Sequence, residues 1–520
     1  MINSRNLIYT NILDLTEPKK VEVSSGQFNT TGSLAPFLRV EEKRRKIKME
    51  NKNGIGRIGL IALIVSSCIG TGIFGITNAV AAAAAPGPAL LAWLFVGFGF
   101  LMLVFALNNL SEKRPDLEAG IFSYAGAGFG PMGEFISGWA YWLSAWLGNI
   151  AFATMLMSAL GTFFPVFSNG QNLTSIIVAI IFCWVLTLLV NSGVETATFI
   201  NTIGTFFKII PLVLFIIISI IFFKAGMFTT DFWGHVANNL SKGTETGSVY
   251  TQMKGTLLTL IWVFIGVEGA SVMGHRAKDR TQAQQATIIG FILLLIIYVM
   301  ISIIPYGTLT RAQLAAASQP ALGNDLKLIV GSWGATIINV GLIVSVIISW
   351  LSWTMLPAET TMLVAEDKAM PKVWGKLNAK KAPTASLMIT GVLQTIFLFS
   401  LLFTEQAYNF AYSLASAAIL FSYLFVGLYQ MKYSQEHQEW GQWTIGLLLV
   451  LFQIACMFLA GWQQVLLVSI SFIPGFIIYY QGVRENNRTM SGGEKGTMVV
   501  VLAFSLIAIF LIFNGTIAVG

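Results

Sequence analysis

Apolar residues along this chain do not alternate at the two-residue period of a half-buried strand, nor recur at the 3.6-residue period of a surface helix. They run in near-continuous blocks of about twenty. At 1.5 Å rise per residue such a block crosses a hydrocarbon core of roughly 30 Å. The blocks near 57–79, 88–108, 133–163, 173–194, 199–223, 252–275, 286–309, 333–363, 384–403, 407–431, 441–461, 464–482 and 497–517 therefore predict about 13 transmembrane helices. A membrane barrel needs short alternating strands instead. Residues 1–55 break the pattern: SSGQFNTTGSL and EEKRRKIKMENKNG have no periodicity and cannot bury a core, which predicts a disordered cytoplasmic tail whose basic end suits anionic lipid. The alternative is that Met49 is the natural start and residues 1–48 are an extension without a role. No leading apolar region with a small-residue cleavage site precedes the first block, so that block is expected to direct insertion itself.

Two of the blocks are interrupted. SSCIGTGIF places Gly70, Thr71 and Gly72 where the first span should be strongest, and IWVFIGVEGASVMG places Gly266 and Gly269 in the span five further on. One such break is commonly a packing device. Two at corresponding positions point to an inverted repeat with a binding site at the bilayer midplane. Unwinding leaves the amides of Gly70, Thr71 and Gly72 free, with the positive end of the next half-helix behind them, which suits a carboxylate. Around Trp262 to Ile265 it frees carbonyls that suit an ammonium group.

Composition agrees with the pattern, since 55% of residues are hydrophobic and 11% charged, outside the range of a water-soluble globular chain. The net charge of +7 is explained by placement rather than by nucleic acid. With the N-terminus cytoplasmic, Lys43-Arg44-Arg45-Lys46, Lys113-Arg114, Arg276/Lys278/Arg280, Lys372/Lys376/Lys380/Lys381 and Arg484/Arg488 all fall on one side. The other side holds only Lys224, Lys242, Lys254, Arg311 and Lys327, as the positive-inside rule requires, and Gly520 is then extracytoplasmic. Cys68, Cys183 and Cys456 lie in apolar blocks without metal or disulfide spacing and read as small buried hydrophobes.

Chemistry-bearing residues inside the blocks are few. Lys208 and Glu268 are ionisable groups at membrane depth, read either as functional or as a structural pair. Trp353, one of 14 tryptophans, offers a face for a cation or merely packs. Asn149 is a polar contact or interhelical glue. His235, His275 and His437 form no cluster suited to a metal or to a nucleophile and base, and Glu195 and Glu359 read as structural, so no catalytic residue, metal or cofactor is expected.

YWLSAWLGNIAF (141–152), FINTIGTFFKIIP (199–211), WVFIGVEGASV (262–272) and SWTMLPAETTMLVAEDKAMP (352–371) resemble the basic amino acid/polyamine antiporters of the amino acid–polyamine–organocation superfamily, from about Gly56 to Tyr433. The resemblance implies an all-α integral membrane protein with a leucine-transporter-like five-plus-five inverted repeat: a first repeat over 56–224, a second over 250–433, and additional helices over 440–520. It implies that Ser67, Cys68, Thr71 and Gly72 hold a substrate carboxylate, that carbonyls of Trp262 and Ile265 hold the α-amino group, and that Ser144, Ala145, Asn149 and Phe152 face the side-chain tip. The same resemblance implies that Trp353 stacks on the cationic end, that Ala415 and Tyr423 match tenth-helix substrate positions, and that Lys208 stands where sodium sits in sodium-coupled relatives. Relatives with an asparagine at Ser67 and a proline at Ser422 mark where this chain departs.

The function implied is a plasma-membrane antiporter importing an amino acid, arginine first, and exporting a metabolic product, ornithine first. An amino acid/decarboxylated amine exchanger such as histidine/histamine, and a proton-coupled importer, are the alternatives. A membrane-embedded amino acid sensor would bind the same ligands without flux. Expected partners are the amino acid, its amine or amino acid counter-substrate and membrane lipid, with a homodimer left open and no nucleic acid.

Overall fold

The computed structural model describes residues 56–117, 120–167, 170–234, 247–269, 280–403, 407–459 and 461–517. The expected tail, Lys43, Arg44, Arg45, Lys46, Lys242, His235, His275, Arg276, Lys278 and Gly520 lie outside them. In chain order the helices are α1 (Arg57–Cys68), α2 (Gly72–Ala83), α3 (Pro86–Lys113), α4 (Ile121–Gly161), α5 (Leu173–Asn191), α6 (Val194–Ile221) and α7 (Ala225–Thr229). They continue with α8 (Val249–Phe264), α9 (Arg280–Ile303), α10 (Arg311–Ala316), α11 (Ala321–Val330), α12 (Ser332–Glu366), α13 (Thr384–Ser400) and α14 (Ala407–Glu436). The last three are α15 (Trp440–Leu459), α16 (Trp462–Glu485) and α17 (Gly492–Phe513). Among the described residues there is no strand.

Ten described helices are long and apolar enough to cross a membrane, and the protein is an all-α, multi-pass membrane protein. The other expected spans are interrupted or shorter: α1 and α2 divide the first, α8 stops at the second break, and the described apolar part of α6 runs Lys208–Ile221. The span expected at 133–163 begins earlier, at Ile121, and is bent at Gly130-Pro131. Pro131 has no N–H to bond the preceding turn, so the helix continues only through a kink.

Packing places α4 at the centre. It is buried along nearly its whole length and lies against both α12 and α14. Around it α1 packs on α9, α3 on α8 and α15, and α6 on α12. By contrast, α17 turns Val499, Val500, Phe504 and Phe510 outward, an apolar face suited to lipid. At one end of the bundle Lys113 pairs with Glu439 at 2.7 Å, Arg114 meets Asp116 and Tyr429, and the Lys372 amide donates to Glu485 at 2.9 Å. These contacts tie Lys113 and Arg114 to the end of α14 and the segment after it, and Lys372 to the end of α16.

At the other end a short hairpin, α10 and α11, seats on α2. Arg311 Nε donates to the Ala81 carbonyl at 2.8 Å and Nη2 to that of Ala82 at 3.3 Å, filling acceptors that the end of α2 leaves open. Asn78 returns a bond to the Ala315 carbonyl at 2.6 Å. Asp325 of α11 is fully buried beside Thr77 of α2, and burial pushes its carboxyl up to about 7. A carboxyl whose folded value is raised binds its proton more tightly in the folded state, so stability falls as pH rises through that value. We expect Asp325→Asn to raise the melting temperature at pH 8 and to flatten its decline between pH 3.8 and about 7. An unchanged pH profile in detergent would show that the carboxyl is solvated.

Candidate functional site

The first break begins where α1 ends. Ile69 takes an extended conformation (φ −74°, ψ 97°), and helix resumes only at Gly72, with no side chain capping its first turn. The Phe74 amide bonds back to the Thr71 carbonyl at 3.0 Å, and the turn carries the positive end of the helix dipole. The second break begins where α8 ends: Ile265 is again extended (φ −61°, ψ 127°), which exposes the negative, carbonyl end of a helix.

These two ends meet. Ser67 Oγ donates to the Gly266 carbonyl at 3.2 Å, and Gly266 holds φ +111°, a conformation that L side chains rarely adopt. A Cβ at Gly266 would fall 2.9 Å from the Ser67 carbonyl oxygen. One at Gly72 would fall 2.7 Å from Trp262 Cδ1 and 2.8 Å from Val263 Cγ1. The glycines are thus contact points between the breaks as well as helix interruptions.

Between them lies a small cavity. Ser67, Cys68, Gly70, Thr71, Gly72, Phe152, Trp262, Val263, Ile265 and Trp353 line it. All but Val263 are expected from sequence. The Phe152 ring meets Trp262 at 6.2 Å and Trp353 edge-on at 6.4 Å, so three aromatic rings wall the cavity beside the helix ends.

Ser144, Ala145, Asn149, Ala415 and Tyr423 are buried but do not line the cavity. Asn149 acts one step removed. Pro357 lacks the N–H that would bond the carbonyl four residues earlier, and that carbonyl belongs to Trp353. Asn149 Nδ2 donates to it at 3.1 Å, tying the tryptophan backbone to α4. The Ser144 Oγ and Asn149 Oδ1 atoms have no hydrogen-bond partner.

Both ionisable residues brace the breaks. Lys208 Nζ donates to Ser349 Oγ at 2.9 Å, and Ser349 in turn donates to the Ile69 carbonyl at 3.3 Å, within the first break. The Glu268 carboxylate accepts from Tyr423 at 2.6 Å, Tyr141 at 3.1 Å and the Gly266 amide at 3.0 Å. Ser349 and Tyr141 were not singled out from sequence. Ser349 lies four residues before Trp353 on the same helical face, a signal that periodicity makes readable.

A cavity bounded by one positive and one negative helix end, and closed by aromatic rings, suits a small zwitterion. The family comparison agrees: the amino acid permease family matches residues 55–483. The chain belongs to that family. An arginine/ornithine antiporter of Latilactobacillus sakei is 50% identical over 472 residues, covering 89% of this chain and 98% of the relative. One from Lactococcus lactis subsp. cremoris (strain MG1363) is 42% identical over 479 residues, covering 89% and 91%. An arginine/agmatine antiporter of Chlamydia felis is 36% identical over 474 residues, covering 89% and 97%.

For this permease the close approach at Gly72 gives a direct test. Gly72→Val should force Trp262 and Val263 off the break and abolish the rise in melting temperature that an amino acid ligand produces, while the unliganded protein still purifies as a folded species. A wild-type ligand-induced shift in the variant would mean that the cavity is not the binding site.

Proposed function

We propose that this permease is an antiporter that exchanges extracellular arginine for intracellular ornithine at a single, alternately exposed site, and that it is not an enzyme. The observation that carries the reading is the meeting of opposed helix ends at one cavity walled by Phe152, Trp262 and Trp353. The identities of the relatives that bear the arginine/ornithine name support the substrate pair.

On this reading the α2 end, with Ser67, Cys68, Gly70, Thr71 and Gly72, holds the substrate carboxylate. The α8 end, at Trp262 and Ile265, accepts from its ammonium group. Trp353 and Phe152 face the cationic side chain, Ser144, Ala145, Asn149, Ala415 and Tyr423 stand behind them as the outer layer of the substrate site, and Glu268 gates the path. Residues 56–224 and 250–433 are the two inverted repeats, with 440–520 added to them. The protein sits in the plasma membrane with its N-terminus cytoplasmic and its C-terminus outside, against lipid and as a homodimer.

Lys208 supplies, through Ser349, the positive charge that braces the first break, which removes the need for sodium. Lys208→Arg should preserve sodium-independent exchange, and Lys208→Ala should lose it; an Ala variant exchanging at the wild-type rate in sodium-free buffer would remove the lysine from the mechanism.

Charge bookkeeping separates the substrate pairs. Arginine and ornithine each carry a net charge near +1 at neutral pH, whereas agmatine has lost the carboxylate and carries about +2. Exchange of arginine for ornithine therefore moves no net charge. In proteoliposomes loaded with ornithine, labelled arginine uptake should be rapid and insensitive to an imposed membrane potential or proton gradient. Uptake into empty vesicles driven by a proton gradient would establish an importer instead, and a preference for internal amines with potential-dependent flux an amine exchanger. In the same assay Trp353→Leu should weaken arginine far more than a neutral analogue of equal length, because stacking on a cation contributes roughly 0.5–2 kcal/mol that an aliphatic side chain lacks.

A further inference from the structure

We propose that Gly148 is a specificity-determining residue of this site: its missing side chain seats the Trp262 indole clear of the cavity, and the space so kept is what the longer substrate, arginine, needs. The proposal rests on the exchange reading above and names a residue that selects within it from behind the cavity wall.

Each ring of the wall lies against a glycine. A Cβ at Gly70 would fall 3.1 Å from Phe152 Cε1, one at Gly266 3.4 Å from Trp353 Cζ2, and one at Gly72 2.7 Å from Trp262 Cδ1. Those three glycines sit at the breaks. Trp262 has a further contact of the same kind. A Cβ at Gly148 would fall 3.0 Å from its Cη2 and 3.4 Å from its Cζ3, so the indole spans from α4 to the first turn of α2 with a glycine at either end.

No break accounts for Gly148. It is buried mid-helix in α4, where the one non-helical residue is Gly130. Glycine is among the least favourable residues in a helix interior, so its backbone freedom is a disadvantage here and only the space it leaves is of use.

The surroundings of the ring fix the direction in which it would move. A methyl group at position 148 presses on the six-membered end of the indole, and the Gly72 backbone stops the ring from sliding along its own long axis. Tyr412 stacks on one face at 6.3 Å and is itself anchored by a 3.1 Å hydrogen bond with Thr259. The remaining direction is toward Phe152, whose ring lies 6.2 Å away and lines the cavity together with Trp262. The indole therefore yields into the cavity, on the side assigned above to the cationic side chain. Arginine fills that side with a planar guanidinium, whereas ornithine ends sooner, in a compact ammonium group.

The test is calorimetric titration of arginine and of ornithine into the full-length protein in detergent, for wild type, Gly148→Ala, Trp262→Phe and the double variant. Overfilling the wall by a methyl group should raise the arginine Kd about tenfold in Gly148→Ala and the ornithine Kd less than about twofold. Trp262→Phe removes the ring atoms that Gly148 faces, so adding Gly148→Ala to it should change the arginine Kd by less than about twofold. An unchanged arginine Kd in Gly148→Ala, equal losses for both ligands, or the same loss in the Trp262→Phe background would overturn the proposal. Where Trp262→Phe binds neither ligand, the cycle is read from unliganded melting temperatures, and an equal shift from Gly148→Ala in both backgrounds overturns it. Where wild type binds neither arginine nor ornithine, it is the exchange reading that fails. The Gly148 proposal then stands or falls on the same comparison, made with the longest and the shortest amino acids that raise the wild-type melting temperature.

Discussion

The structure turns on the contact between two helix ends that a membrane protein should avoid exposing. In hydrocarbon an unsatisfied backbone group costs several kcal/mol, so irregular backbone at membrane depth survives only where protein or a ligand satisfies it. Here the ends of α1 and α8 meet through Ser67 and the Gly266 carbonyl, and the backbone on either side is braced. Lys208 reaches the first break through Ser349, and Glu268 anchors the second through the Gly266 amide and two tyrosine hydroxyls. The two ionisable residues therefore have one task in common. Each converts an interruption that would otherwise fray into a fixed edge of the cavity.

Opposed dipoles also impose an orientation on the ligand. The start of α2 favours negative charge and the end of α8 favours positive charge, so a zwitterionic head group would fit in one sense. The position of Trp353 is itself secured by a backbone defect. Pro357 frees its carbonyl, and Asn149 fills the vacancy from the central helix. The Trp353 backbone is thus tied to α4, a helix buried along nearly its whole length, rather than to a surface loop.

What could be read from sequence was local. Blocks of apolar residues gave the spans, and paired glycine breaks located the cavity, because both signals depend on spacing within one segment. The additional N-terminal reach of α4 was hidden because Gly130-Pro131 looks like a stop, while in the fold Pro131 is accommodated as a bend. Asn149 was placed toward the ligand by resemblance, and the structure gives its amide a backbone partner that the rule for the residue four before a proline would have identified.

The helix ends also bear on why such a site favours exchange over leak. No side chain caps the first turn of α2, so its first donors look to the cavity for an acceptor. Any movement that carries the empty site through a closed state must bury those donors away from water as well as from ligand, and each contributes an uncompensated penalty to the barrier. A bound carboxylate accepts from the donors, and a bound ammonium group neutralises the carbonyl end of α8, so the loaded site crosses the same closed state with its polar groups paired. The difference in barrier between loaded and empty protein grows with the number of orphaned groups. A cavity walled by helix ends is therefore selective at two levels: it recognises the head group by charge, and it makes reorientation conditional on that head group being present.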